Sequence, residues 1–178
     1  MEYRIGRIML SEEELHSKVR ELGARIREDY RGKKVVFVCV LKGAVIFFSD
    51  LVRAIGPDVD AQLDFLAISS YGASTRSSGV VKIQKDLSTD IHGKHVIIVE
   101  DILDTGLSLS YMSKLLRERA PESLEICVLL DKAERRTQHV DVKYTGFTIP
   151  DEFVIGYGLD YAGQFRHLPA VHIAEPLD

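Results

Sequence analysis

Apolar residues recur at helical spacing early in the chain. Ser11 and Glu14 have the spacing of a reciprocal helix cap, and Leu15, Val19, Leu22 and Ile26 follow at intervals of three or four. That pattern predicts an amphipathic helix over residues 12–29. Three apolar runs come next, at 35–41, 96–99 and 124–130, with little polar alternation. Runs that are apolar on both faces suit parallel strands covered by helices on both sides. Helical segments are predicted after the first two runs, near 43–55 and 108–119. This alternation predicts an α/β fold built on a mostly parallel, twisted sheet flanked by helices.

Between the first two runs the pattern changes. Residues 61–69 and 80–85 read as two strands, joined by a small, polar connection at 70–79 (SYGASTRSSG). A connection of that length and composition reads as a mobile lid. After Asp131, short strand-like pieces at 140–142, 153–157 and 170–173 are expected to form a small hood over one end of the sheet. No repeat, low-complexity tract or linker interrupts the chain, so residues 1–178 read as one domain.

Composition narrows the classes. The chain is 46% apolar and 28% charged, a globular profile. A net charge of −4 argues mildly against a nucleic-acid binder, which usually advertises a basic face. Cys39 and Cys127 sit inside the apolar runs VVFVCVL and LEICVLL and read as buried free thiols. The opening MEYRIGRIML lacks the uninterrupted apolar stretch of a secretory signal, and no segment approaches the roughly 18 apolar residues of a membrane span. A cytosolic protein with neither membrane nor nucleic-acid partner is expected.

The chemistry concentrates in Val96-Ile97-Ile98-Val99-Glu100-Asp101-Ile102-Leu103-Asp104-Thr105-Gly106-Leu107-Ser108-Leu109. A buried strand is read as ending in two acids, a third follows, and a Thr-Gly-x-Ser turn opens a helix. In open α/β sheets ligands bind beyond the carboxyl ends of the strands, where this loop would lie. Thr105 and Ser108 offer hydroxyls, Gly106 permits close backbone approach, and the first N–H groups of the helix suit a phosphate. Glu100 and Asp101 would repel phosphate, so they suit sugar hydroxyls or Mg²⁺, which takes hard oxygen ligands. A plainer alternative has Asp104 or Ser108 capping the helix and the acids solvated.

The segment resembles the signature of the type I phosphoribosyltransferases, which bind 5-phosphoribosyl 1-diphosphate. Leu41-Lys42-Gly43, Ser70-Tyr71-Gly72, Leu130-Asp131-Lys132 and the stretch 149–161 (IPDEFVIGYGLDY) resemble, in order, the remaining motifs of the hypoxanthine-guanine branch, and the similarity covers residues 8–175. The resemblance implies that Glu100 and Asp101 hold the ribose hydroxyls and their Mg²⁺. It puts the 5′-phosphate on Thr105, Gly106, Leu107 and Ser108, where the family often has Thr in place of Ser108. Asp104 would handle the purine N7 proton. Lys132 would donate to the purine O6, and an ammonium has no acceptor for a 6-amino group. Phe153 would stack on the base opposite Ile102, with the Val154 backbone reading the base edge. Asp160 matches a second Mg²⁺ position and Arg166 a diphosphate contact. Leu41-Lys42-Gly43 would face the diphosphate, with the isomer of its first peptide left open. Ser70 and Tyr71 would belong to the lid.

The implied reaction is Mg²⁺-dependent transfer of the phosphoribosyl group to hypoxanthine or guanine, giving IMP or GMP and diphosphate. The resemblance also implies a homodimer or homotetramer. Competing readings are a xanthine- or adenine-specific transferase, an RNA-binding regulator on the same fold, and a silent nucleotide-binding module. Neither a Gly-x-Gly-x-x-Gly nor a Walker loop is present, and the six histidines have no zinc spacing.

Overall fold

The computed structural model describes residues 2–70 and 81–177. Its centre is a six-stranded sheet. The strands are β2 (Lys34–Leu41), β3 (Asp60–Ser70), β4 (Val81–Lys85), β5 (His95–Leu103), β6 (Ser123–Asp131) and β7 (Tyr144–Thr148), in the order β4-β3-β2-β5-β6-β7. β3, β2, β5, β6 and β7 run parallel, and β4 pairs antiparallel with β3 at the edge. The mostly parallel sheet expected from the apolar runs is therefore present.

Burial explains why those runs lack alternation. Phe37, Cys39, Ile97 and Val99 pack in one core with helices α1 (Glu12–Tyr30) and α2 (Val45–Ile55). Their neighbours Val38, Ile98 and Val128 pack in a second core with Leu109, Met112 and Leu116 of α3 (Leu107–Arg117). Successive side chains point to opposite faces, so both must be apolar. Ser11 caps α1 by accepting from Glu14 N–H at 3.1 Å. Gly23 lets α1 approach α2, since a Cβ there would stand 2.8 Å from the Ala54 Cβ. Among the described residues, no helix is long and apolar enough to cross a membrane.

A second, antiparallel sheet of order β1-β9-β8 forms the hood, from β1 (Tyr3–Leu10), β8 (Val154–Ile155) and β9 (Val171–Pro176). Several expectations need correction here. β1 was not anticipated, because register shifts near Ile5 and Ile8 erase strand alternation and its partner lies at the far end of the chain. Residues 140–142 form no strand. Val140 and Val142 pack against the α3-side core, and the pairing strand is β7 just beyond. β8 stops at Ile155 because Gly156 and Tyr157 turn to φ 94° and 50°. Finally, β5 does not end at its acids. It continues to Leu103, with Ile102 opposite Leu130 and Leu103 opposite Asp131. The proposed lid falls at 71–79, outside the described residues.

The hood is tied to the main body by a polar contact. The Tyr157 hydroxyl donates to Asp50 Oδ2 of α2 at 2.5 Å, and Arg53 holds the other oxygen of Asp50. Burial, and then Asp50 itself, raise the Tyr157 hydroxyl well above its ordinary range, so it remains a donor. Tyr157→Phe leaves the ring in place and deletes the bond, which should cost about 1–2 kcal/mol. A fall in Tm of roughly 2–8 °C is expected by calorimetry. An unchanged Tm would show the tie to be idle.

Candidate active site

Parallel pairing of β2 with β5, and of β5 with β6, brings the carboxyl ends of three strands together. A cavity of about 330 Å³ opens there. Leu41 and Gly43 line it from β2 and the turn after it, and Glu100, Asp101 and Ile102 from β5. Asp104, Thr105, Gly106 and Ser108 line it from the following loop, and Asp160 and Arg166 from beneath the hood.

The geometry of the loop suits an anion. Gly106 occupies the N-cap of α3 at φ 89°, the left-handed region open to glycine, and no side chain caps the helix. Neither Asp104 nor Ser108 takes that place, so the plainer reading of this segment fails. Thr105 Oγ1 accepts from the Leu107 N–H at 3.4 Å, and the next N–H groups of α3, at Ser108 and Leu109, keep their donors for a ligand. A Cβ at Gly106 would collide with the Gln138 carbonyl oxygen, so the tight packing behind the loop also demands glycine.

Glu100 and Asp101 are adjacent carboxylates, and among the described residues no lysine or arginine forms an ion pair with either. Glu100 Oε1 accepts from Asp101 N–H at 3.0 Å, and Asp101 Oδ1 accepts from Ile102 N–H at 2.7 Å. Burial, then the charge of Asp101, push the Glu100 carboxyl well above its ordinary range. Burial also raises Asp101, against hydrogen bonding and the more distant Arg166 charge. Burial and the two acids together push the Cys39 thiol to about 12, which keeps it a neutral core residue. Gly43 packs so closely that a Cβ there would collide with Asp101 Oδ2. The Leu41–Lys42 peptide, whose isomer the sequence left open, is cis.

On the far wall, Asp160 Oδ2 accepts from Gly163 N–H at 2.7 Å, and its Oδ1 lies 3.2 Å from Arg166 Nη2. Arg166 also donates to the Gly158 carbonyl at 2.6 Å. Among the described residues no three His, Cys, Asp or Glu side chains converge as a ligand set, so Asp160 does not join Glu100 and Asp101 in one cage. The donor chemistry still fits Mg²⁺. That ion commonly takes one or two carboxylates and completes its shell with substrate oxygens and water.

Other expected residues stand apart from the cavity. Lys132 is buried just after β6, with its N–H donating to the Leu103 carbonyl at 2.9 Å and its Nζ 3.8 Å from Asp151 Oδ1. Phe153 does not line the cavity. Its ring, 40% exposed, stands 4.9 Å from that of Tyr3 and 6.0 Å from that of Tyr161. Val154 is buried in the hood, Lys42 is exposed, and Leu107 begins α3. Ser70 closes β3, and Tyr71 lies outside the described residues.

Sequence reading missed one group. Arg135 Nε donates to Asp104 Oδ1 at 2.6 Å, and Arg136 Nε to the Asp104 carbonyl at 3.2 Å. Arg136 also pairs with Asp131, and the Thr137 and Gln138 N–H groups donate to the Thr105 carbonyl at 2.9 and 3.0 Å. Residues 135–138 thus bracket the Asp104–Gly106 loop from behind. The only local signal was Glu-Arg-Arg after Lys132, which says nothing of a partner some 30 residues away.

A family model described as "Phosphoribosyl transferase domain" matches residues 10–162. The chain belongs to the phosphoribosyltransferase family. The hypoxanthine-guanine phosphoribosyltransferase of Mycobacterium tuberculosis (strain ATCC 25618 / H37Rv) is 47% identical, over 97% of this chain and 87% of that protein. The protein of the same name from Bacillus subtilis (strain 168) is 45% identical, over 99% of this chain and 97% of that protein. A crystal structure of a Staphylococcus aureus hypoxanthine phosphoribosyltransferase superposes with a TM-score of 0.93 at 45% identity, covering 97% of this chain and 92% of that one. This phosphoribosyltransferase therefore places two adjacent acids, both raised by burial, on the wall of the cavity.

That placement has a pH signature. A raised carboxyl keeps its proton in the folded state where the unfolded chain has lost it. Its stabilising contribution is full below the ordinary glutamate range and falls as pH rises through the raised value. Glu100→Gln removes this titration. The ligand-free variant should melt about 2–4 °C above wild type near pH 8 and level with it near pH 5. A lower Tm than wild type near pH 8 would contradict the burial argument.

Proposed function

We propose that this phosphoribosyltransferase serves purine salvage, moving the 5-phosphoribosyl group from 5-phosphoribosyl 1-diphosphate to hypoxanthine or guanine with release of diphosphate. IMP or GMP is the product. The names of its close relatives support the base class. The observation that carries the choice of base is Lys132, a buried residue just after β6 whose backbone N–H donates to the carbonyl of Leu103 on the cavity wall. Three N–H donors and no acceptor match a 6-oxo group, whereas a 6-amino group would leave a buried donor unpaired.

In this reading the 5′-phosphate rests on the Thr105–Ser108 backbone and hydroxyls at the start of α3. Glu100 and Asp101 hold the ribose hydroxyls. Leu41-Lys42-Gly43 and Arg166 face the diphosphate, the latter through a planar fork suited to phosphate oxygens. Glu100 and Asp101 at one position, and Asp160 at a separate one, are the residues that would hold Mg²⁺, which when bound would neutralise charge on the diphosphate. Ile102 offers an apolar face to the base. Asp104 accepts the N7 proton as the bond from the sugar to N9 forms, and so removes the positive charge that would otherwise build on the purine. Phe153 is the proposed second face of the base site, and it requires a turn of the ring away from Tyr3 and Tyr161. Val154 would read the base edge through its backbone. Ser70 and Tyr71 would exclude water from the cation-like sugar carbon.

Diphosphate release, followed with and without Mg²⁺ for hypoxanthine, guanine, xanthine and adenine, tests the assignment. Hypoxanthine and guanine are expected to exceed adenine in kcat/KM by at least about a hundredfold, the scale set by an unpaired buried donor. Comparable turnover of adenine would overturn the role of Lys132. A preference for xanthine would move the enzyme to a neighbouring specificity.

A further inference from the structure

Arg135 has no part in the motifs above, yet it touches the residue assigned to the proton. It closes a short 3-10 turn, Ala133–Arg135, that follows Lys132 directly. Its Nε lies 2.6 Å from Asp104 Oδ1, and its Nη1 lies 3.6 Å from Asp151 Oδ2. The other oxygen of Asp151 is 3.8 Å from Lys132 Nζ. An unbroken series, Lys132–Asp151–Arg135–Asp104, therefore joins the donor assigned to the base with the carboxylate assigned to its proton.

We propose that Arg135 is a positioning residue for phosphoribosyl transfer, holding the Asp104 carboxylate turned so that its free oxygen meets the purine N7. The proposal rests on the reading of Asp104 given above. Asp104 sits on a loop with its side chain 45% exposed, so little packing fixes its rotamer. Arg135 engages Oδ1 alone, and among the described residues Oδ2 makes no hydrogen bond. That leaves one oxygen fixed and one available. The guanidinium fork reaches both Asp104 and Asp151, so it spans two acids where a lysine reaches one. Asp151 in turn keeps a cation whichever way the network shifts. When Lys132 turns to the base, Arg135 remains to balance it.

The geometry separates this role from loop support. Arg136 holds the Asp104 carbonyl, and the Thr137 and Gln138 N–H groups hold the Thr105 carbonyl. Those bonds persist without the Arg135 side chain, so its removal frees the carboxylate and leaves the loop backbone held. An ion pair this exposed also adds little to stability, so the variant should fold.

The test is a single-turnover rate of IMP formation with enzyme in excess, which product release cannot mask. Arg135→Ala should slow this step by about tenfold, a fraction of the roughly 10²–10⁴ that a positioned acid or base supplies. The KM for 5-phosphoribosyl 1-diphosphate and the Tm should stay at wild-type values, and Arg135→Lys should recover part of the rate. In an Asp104→Asn background, Arg135→Ala should cost nothing more, because its effect passes through that carboxylate. A wild-type rate in Arg135→Ala would overturn the proposal, as would the same tenfold loss in the Asp104→Asn background. If Asp104→Asn alone turns over like wild type, the reading of Asp104 fails first and this proposal falls with it.

Discussion

The structure is organised around two adjacent carboxylates carried into a cavity on a central strand. Glu100 and Asp101 belong to β5, which lies between β2 and β6 and is buried on both faces before it reaches them. Charge in that setting is costly unless a cation or hydrogen bonds offset it. The surroundings follow from that cost. Gly43 has no side chain because Asp101 occupies the space a Cβ would need. The strand extends to Leu103, so pairing with β6 fixes both acids instead of leaving them on a loop. Arg166 lends its charge from across the cavity and is itself anchored on Gly158.

Two halves of the site meet at that pair. The β5–α3 turn supplies the Ser108 and Leu109 N–H groups, which suit an anion, and the segment after β6 supplies cations and the carboxylate partners that hold them. Residues 135–138 join the halves, since they grip the Asp104–Gly106 loop while Lys132 stands at their start. A ligand with an anion at one end and a polar ring at the other suits such a site. The negative pair between them suits hydroxyls and a bound metal ion.

Much of this was legible in the sequence where the signals are local. Ser11 and Glu14 mark the start of α1, and both-face apolar runs mark β2, β5 and β6 because their side chains must satisfy two cores at once. The Thr105–Ser108 turn was legible for a similar reason, since one short stretch carries both the glycine and the hydroxyls. Features that depend on distant partners were not. β1 is recognisable only beside β9, and Val140 and Val142 look like a strand until α3 is seen to pack over them. Phe153 illustrates the limit of a motif. The residue is present, but its ring lies with Tyr3 and Tyr161 and not on the cavity wall. Arg135 illustrates the converse, as a cation with no motif that reaches the most chemically exposed acid in the site.

The central claim is that burial and the Asp101 charge raise the Glu100 carboxyl in the ligand-free protein, so that proton release accompanies the binding of sugar and metal ion there. Calorimetric titration of 5-phosphoribosyl 1-diphosphate with Mg²⁺, repeated in buffers of different ionisation enthalpy, counts that proton directly once the ligand's own contribution is subtracted. The account predicts net proton release on binding by the wild-type protein, and its loss in Glu100→Gln. Tight binding by the wild-type protein with no proton released would contradict it.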